Sequence, residues 1–219
     1  MGTSDSPATT HSDHAHMLTR CGRLIFAIVF ATIAASCTHS QKSDALSCVP
    51  RTDMIDVRSL DVARDAPTRL AAAFESDQKD RLLPSQGELS EAEWNAIDVR
   101  DEARREEAAN LITAKVKISP KDLYFASVVF LHGQCPDHYR LAAALAGKAM
   151  SGGESDARSI YANAIDRHLV SIGKPQRFGT QYSCDSGTCL LLPYDPTTTD
   201  EERAEYGISP LNEDPEEIQ

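Results

Sequence analysis

A chain of 219 residues is long enough for one domain, or at most two, and can bury a sizeable core. Its formal net charge of −11 is unchanged if residues 1–36 are removed, because Arg20 and Arg23 there offset Asp5 and Asp13. Nucleic-acid binding and an electrostatic grip on anionic lipid both require basic patches, so this balance argues against both.

At the amino terminus, Arg20 and Arg23 precede an apolar run from Leu24 to Ala35. It is too short to span a bilayer comfortably but suits the core of a secretory signal. Ala34, Ala35 and Ser36 then lead into Cys37, which resembles a bacterial lipobox with Ala34 where a leucine is usual. The resemblance implies that Cys37 is lipidated and becomes the first mature residue; ordinary cleavage without lipidation is the alternative. Residues 1–16 carry His11, His14 and His16 and lack apolar character, which makes Met17 an alternative start. An aspartate after the lipidated cysteine would usually retain a Gram-negative lipoprotein in the inner membrane. Thr38 stands there instead, which points to the outer membrane, facing the periplasm. The expected division is a signal peptide over 1–36, a lipid-anchored tether over 37–66, a helical domain over 67–211 and an acidic tail over 212–219.

From Pro67 onward the chain reads as helices. Leu70, Phe74, Gln78 and Arg81 share one face, an apolar stripe that turns polar. After a break over 84–87, Ser90 and Glu93 form a capping box. The long helix they open has Trp94, Ile97, Asp101, Arg104 with Arg105, Ala108, Leu111 and Ile112 on its inward face. Ser119 and Pro120 are cap and first position of a third helix. Its YFASVVFL run is apolar all round and therefore central; a buried strand is the alternative, since Val128 and Val129 are branched. Pro136 opens a fourth helix with Tyr139, Leu141, Ala142, Leu145, Ala146 and Ala149 inside, broken by Gly152 and Gly153. A fifth, from Ala157, places Tyr161, Ile165, His168, Leu169 and Ile172 on one stripe, packs back antiparallel, and stops at Gly173 and Pro175. A polar loop follows to Tyr182, then a cysteine hairpin and a short acidic helix from Thr199, capped by Gly207. The expected fold is all-α: antiparallel helix hairpins around a central apolar helix, with a small disulfide-closed hairpin near the C-terminus.

With Cys21 removed and Cys37 acylated, Cys48, Cys135, Cys184 and Cys189 remain, which allows several pairings. Cys184 and Cys189 flank turn residues that bring two short arms together, leaving Cys48 with Cys135. A metal site is the rival reading, but no CxxC or paired-histidine spacing supports it, and no metal or other cofactor is expected.

Acid and base sit side by side where stripes run out: Asp80 and Arg81, Asp101 and Arg104, Asp166 and Arg167. Either these are solvated helix ends, or they meet in a hydrogen-bonded layer beside His132 and under the loop carrying Gln176 and Gln181, because an isolated buried charge is very costly. His132, closing the apolar helix, reads first as a satisfied core residue or helix-end cation and second as a general base. The loop reads first as a segment pinning its own backbone through glutamine side chains, and second as a binding element.

The elements SDQKDR (76–81), VRDEARR (99–105), FLHG (130–133), DRHL (166–169) and GKPQRFGTQY (173–182) together resemble a bacterial domain family of unknown function carried by exported proteins and lipoproteins. The resemblance extends over 67–211 and implies a helical domain, with no known activity or cofactor. Relatives commonly carry glutamine where this chain has Leu131. No nucleophile elbow, phosphate-binding glycine loop, zinc signature or dinucleotide fingerprint is present. Two functional expectations follow. One is a helical binding or interaction module of the bacterial envelope, held to the membrane by its lipid and taking a small molecule or an envelope protein. Its candidate site is Arg81, Asp101, Arg104, His132, Asp166, Arg167, Gln176 and Gln181. The other is an envelope hydrolase with His132 as general base and Asp166 orienting it.

Overall fold

The structure, a computed structural model, describes residues 55–83, 87–185 and 188–211. The chain divides into Met1–Cys37 and Thr38–Gln219, and every described residue belongs to the second unit. The expected signal segment, Cys37, Thr38, Cys48 and the acidic tail lie outside the described residues.

A 3-10 turn, Val57–Ser59, precedes helices α1 (Ala71–Leu82), α2 (Glu91–Thr113), α3 (Pro120–Leu131), α4 (Pro136–Ser151) and α5 (Ala157–Ser171). The antiparallel pair β1 (Tyr182–Asp185) and β2 (Thr188–Leu191) and a short α6 (Asp200–Glu205) complete the described residues. The all-α expectation holds, with one small hairpin in which Cys184 pairs opposite Cys189 and is disulfide-bonded to it.

The helix starts follow their caps. Ser90 accepts from the Glu93 amide while the Glu93 carboxylate accepts from the Ser90 amide, so both partners of the capping box are in place. Ser119 caps α3 through the Asp122 amide, with Pro120 in the first turn. Once α3 is capped it runs as a helix and not as the alternative strand. Leu123, Phe125, Ala126, Val128, Val129, Phe130 and Leu131 are all buried, because α1, α2, α4 and α5 pack around it. Between α4 and α5, Ala142, Ala146, Ala149, Ala157 and Ala164 have no exposed surface, and these methyl-sized faces let the two helices approach closely. At the end of α5, the Lys174 amide donates to Leu169 O at 2.9 Å and that of Gly173 to Val170 O at 3.0 Å. This Schellman closure needs a left-handed residue, and Gly173 supplies it at φ +73°.

Three sequence expectations are corrected. The stripe proposed for α5 is only partly buried, and Ile172 is exposed; the fully buried positions are Ala157, Ala162, Ala164 and Asp166. Small residues face α4 there, while Tyr161 is drawn outward to stack on Tyr206 at 5.6 Å. In α1 the inward face is Leu70, Ala73, Asp77 and Asp80, with Gln78 and Arg81 at the margin, and Trp94 of α2 is exposed. Finally, the packed region begins before Pro67. Ile55, Val57, Leu60 and Val62 lie against the core, and Ala63 and Ile118 are tied by Ala63 N to Ile118 O at 3.0 Å and Ile118 N to Asp61 O at 2.9 Å. That strap has no helical period, which is why it reads as tether in sequence.

Candidate functional site

Where α1 and α2 meet at the end of α3, apolar packing gives way to a charged layer. Helical spacing turns Asp77 and Asp80 of α1 and Asp101, Arg104 and Arg105 of α2 inward, and all five are buried. Buried carboxylates demand partners, and each of these has them. Arg81 Nη2 donates to both oxygens of Asp101 at 2.5 Å and more distantly to Asp77 at 3.3 Å. Arg104 Nη1 donates to Asp101 at 2.6 Å, and its Nη2 reaches Asp80 and Ser76 Oγ. Arg100 forks onto Asp80 through Nε at 2.9 Å and Nη2 at 2.7 Å. Finally, the Nδ1–H of His132, at the C-cap of α3, donates to Asp77 Oδ1 at 2.9 Å.

These contacts set the protonation states. The Arg100 hydrogen bond, against the opposing pull of burial and with help from Arg104, brings the Asp80 carboxyl down to about 2. Burial pushes Asp77 up, but the His132 hydrogen bond and the charges of His132 and Arg81 outweigh it, and Asp77 stays below the usual carboxylate range. The solvated-end alternative is therefore not what α1 and α2 do.

The third expected pair divides. Asp166 and Arg167 are consecutive on α5 and so point about 100° apart. Arg167 turns toward the layer and donates to Leu131 O at 2.9 Å. Asp166 turns the other way, has no exposed surface, and accepts from the amides of Arg177, Phe178 and Thr180 at 2.7, 2.9 and 3.0 Å and from Thr180 Oγ1 at 2.8 Å. The 176–181 loop is thus wrapped around one carboxylate. Gln176, also without exposed surface, closes it. Its Nε2 donates to Gln181 O and Leu192 O, and its Oε1 accepts from the Gln181 amide at 2.7 Å. Gln181 Nε2 turns to Thr180 Oγ1 at 2.9 Å and Asn163. Arg203 of α6 locks the far side through Phe178 O and Ser209 O.

The structure therefore brings together Arg81, Asp101, Arg104, His132 and Arg167, and places Asp166, Gln176 and Gln181 in a separate loop-pinning cluster. The hydrolase expectation is corrected on its orienting acid: His132 is held by Asp77, and among the described residues the Asp166 carboxylate takes its hydrogen bonds from the loop. Sequence reasoning missed Asp77, hidden mid-motif in SDQKDR, and Asp122. The Asp122 carboxylate, wholly buried, accepts the Arg69 and Leu70 amides at 2.8 and 2.9 Å and so caps α1 from another helix. It also missed His138, buried beside the layer. His138 Nδ1 accepts from the Gln134 amide at 3.3 Å, and burial, with the charge of Arg105, pushes the imidazole down to about 4. Gly133 has to be glycine for this ring to fit, since a Cβ there would lie 2.4 Å from His138 Cβ and Nδ1. Cys135, at the N-cap of α4, is disulfide-bonded, and Cys48, the partner expected for it, lies outside the described residues. Among the described residues no group of three or more His, Cys, Asp or Glu side chains could hold a metal ion, and no helix is long and apolar enough to cross a membrane.

No family model, curated protein or solved structure matches the chain. The site is read from its own residues.

Proposed function

We propose that the protein is a helical binding or interaction module of the bacterial envelope, carried on a lipid at Cys37 and facing the periplasm from the outer membrane. The observation that supports it is the charged layer itself. A domain with an apolar central helix ends that helix in a cluster of acids, arginines and His132, gathered from α1, α2, α3 and α5 and open to solvent at Arg81 and His132. Converging polar groups of this kind inside a rigid helical frame suit recognition. Screening the purified protein by thermal shift against envelope small molecules tests the reading. A saturable rise in midpoint that His132→Ala abolishes, with the far-UV spectrum unchanged, is the expected result. No rise across the screen and no captured envelope partner would overturn it.

One observation favours a second reading, an envelope hydrolase. His132 gives its Nδ1–H to Asp77, which orients the imidazole as an acid orients the base of a hydrolytic dyad. Among the described residues no serine, threonine or cysteine side chain is hydrogen-bonded to His132, so a water would have to be the nucleophile. Turnover of an ester or amide panel that Asp77→Asn slows at least a hundredfold would establish this reading instead.

A further inference from the structure

We propose that Arg81, Arg105 and Arg167, gathered around His132, form an oxyanion-binding site for a ligand that presents a phosphate or carboxylate group. The inference deepens the binding-module reading and rests on it.

Guanidinium donors that the layer's acids leave without acceptors point to an anion. Its acids Asp77, Asp80 and Asp101 are taken up by Arg81, Arg100, Arg104 and His132. Two guanidinium groups are left over. Arg105 is only 8% exposed, and its Nη1 is buried with no protein acceptor. Asp101, Glu102 and Asp98 favour its charge electrostatically, but its Nη1 has no hydrogen-bond acceptor. Among the described residues, Arg167 donates to the neutral carbonyl of Leu131 and forms no ion pair. The Nε of Arg81 is a third buried donor without an acceptor. Arginine keeps its charge under such conditions, so the fold holds buried guanidinium donors without acceptors, an arrangement that is costly unless an anion arrives.

The three side chains are also neighbours. Arg81 is bonded to Asp101, and Arg105 lies one helical turn beyond Asp101 on α2. Arg167 is fixed on Leu131, the residue before His132. Arg81 repels both Arg105 and Arg167, and Tyr139 lies within electrostatic reach of Arg167 and carries a hydroxyl. Guanidinium forks match the paired oxygens of carboxylate and phosphate. Access is from the side of Arg81 and His132, whose side chains are 29% and 18% exposed.

The test titrates the purified full chain with inorganic phosphate, with acetate, and with sodium chloride at matched ionic strength, reading the thermal midpoint. Phosphate or acetate should raise the midpoint saturably where chloride does not, and the stronger of the two identifies the ligand group. Arg105→Gln and Arg167→Gln should each weaken the apparent Kd at least tenfold while leaving the ligand-free midpoint level or higher, since each removes an uncompensated charge. Arg105→Lys, which keeps the charge, should retain a weakened response, so a folding defect in the glutamine variant would not hide the result. Lys121→Ala, paired with Glu154 and Asp156 away from the layer, should leave the response intact. An anion response no greater than that to chloride, or one that survives both glutamine variants, would overturn the site. If neutral compounds bind in a His132-dependent way while anions do not, the anion inference falls and the binding module stands. If neither anions nor any compound of the wider screen binds and no envelope partner is captured, both fall.

Discussion

His138 is a neutral imidazole inside a charged neighbourhood. Its folded pKa of about 4 lies below the ordinary imidazole value of 6.5, so the unfolded chain takes up a proton that the folded chain refuses. The stability associated with a neutral His138 is therefore complete above pH 6.5 and is lost as pH falls toward 4. A shift of that size corresponds to about 3 kcal/mol. Denaturant midpoints measured across this window should fall steeply for the parent and much less for His138→Gln, whatever the variant's own baseline; equal slopes would show that the histidine is not the titrating group. Asp101 offers a companion measurement. Its carboxylate holds Arg81 and Arg104 together, so Asp101→Ala takes the closest acceptor from Arg81 and a main one from Arg104 and should cost about 3 kcal/mol or more. A solvated helix end would lose no more than about 0.5 kcal/mol.

At the scale of elements, the loop after α5 is as fixed as the helices because its polar backbone has been assigned partners one by one. Asp166 accepts amides that would otherwise be buried without acceptors. Asp166→Ala should free the Arg177, Phe178 and Thr180 amides to exchange with deuterium orders of magnitude faster, while amides of α3 and α4 keep their protection. Slow exchange at all three in the variant would mean that the loop is held by Gln176 and Arg203 alone. The cysteine hairpin is a smaller staple. Its Cys184–Cys189 bridge closes a loop with a sequence separation of 5 and should contribute about 2 kcal/mol, against about 4 to 5 for a bridge joining Cys135 to Cys48. Serine at both ends of the long bridge should therefore lower the thermal midpoint more than serine at both ends of the short one.

For the whole molecule, the proposed anchor and the proposed site make a single prediction about place. A lipid on Cys37 should label with a fatty-acid analogue, and Cys37→Ser should release the protein from the membrane fraction. A Cys37→Ser protein that still sediments with membranes would show that something other than the lipid holds it. The domain carrying the charged layer should be unaffected by release, since its described core is built from residues distant in sequence from Cys37.

What the chain alone determined was whatever depends on neighbours in sequence. Caps at Ser90 and Ser119, the stop at Gly173 and the Cys184–Cys189 pairing are settled within a few residues, and local propensity and tertiary packing agree on them. The acids and bases at helix ends also raised a paired layer of Asp80, Arg81, Asp101 and Arg104, beside the alternative of solvated helix ends. Only the tertiary structure decided which groups meet. Asp166 and Arg167 are adjacent in sequence, yet α5 sends one to the loop and the other to the layer. Asp77 sits one turn before Arg81, yet its principal partner is His132, 55 positions away. Burial raises the cost of an unmatched charge or donor, so partners are selected by which helix faces coincide in space, and no periodicity in the sequence records that choice.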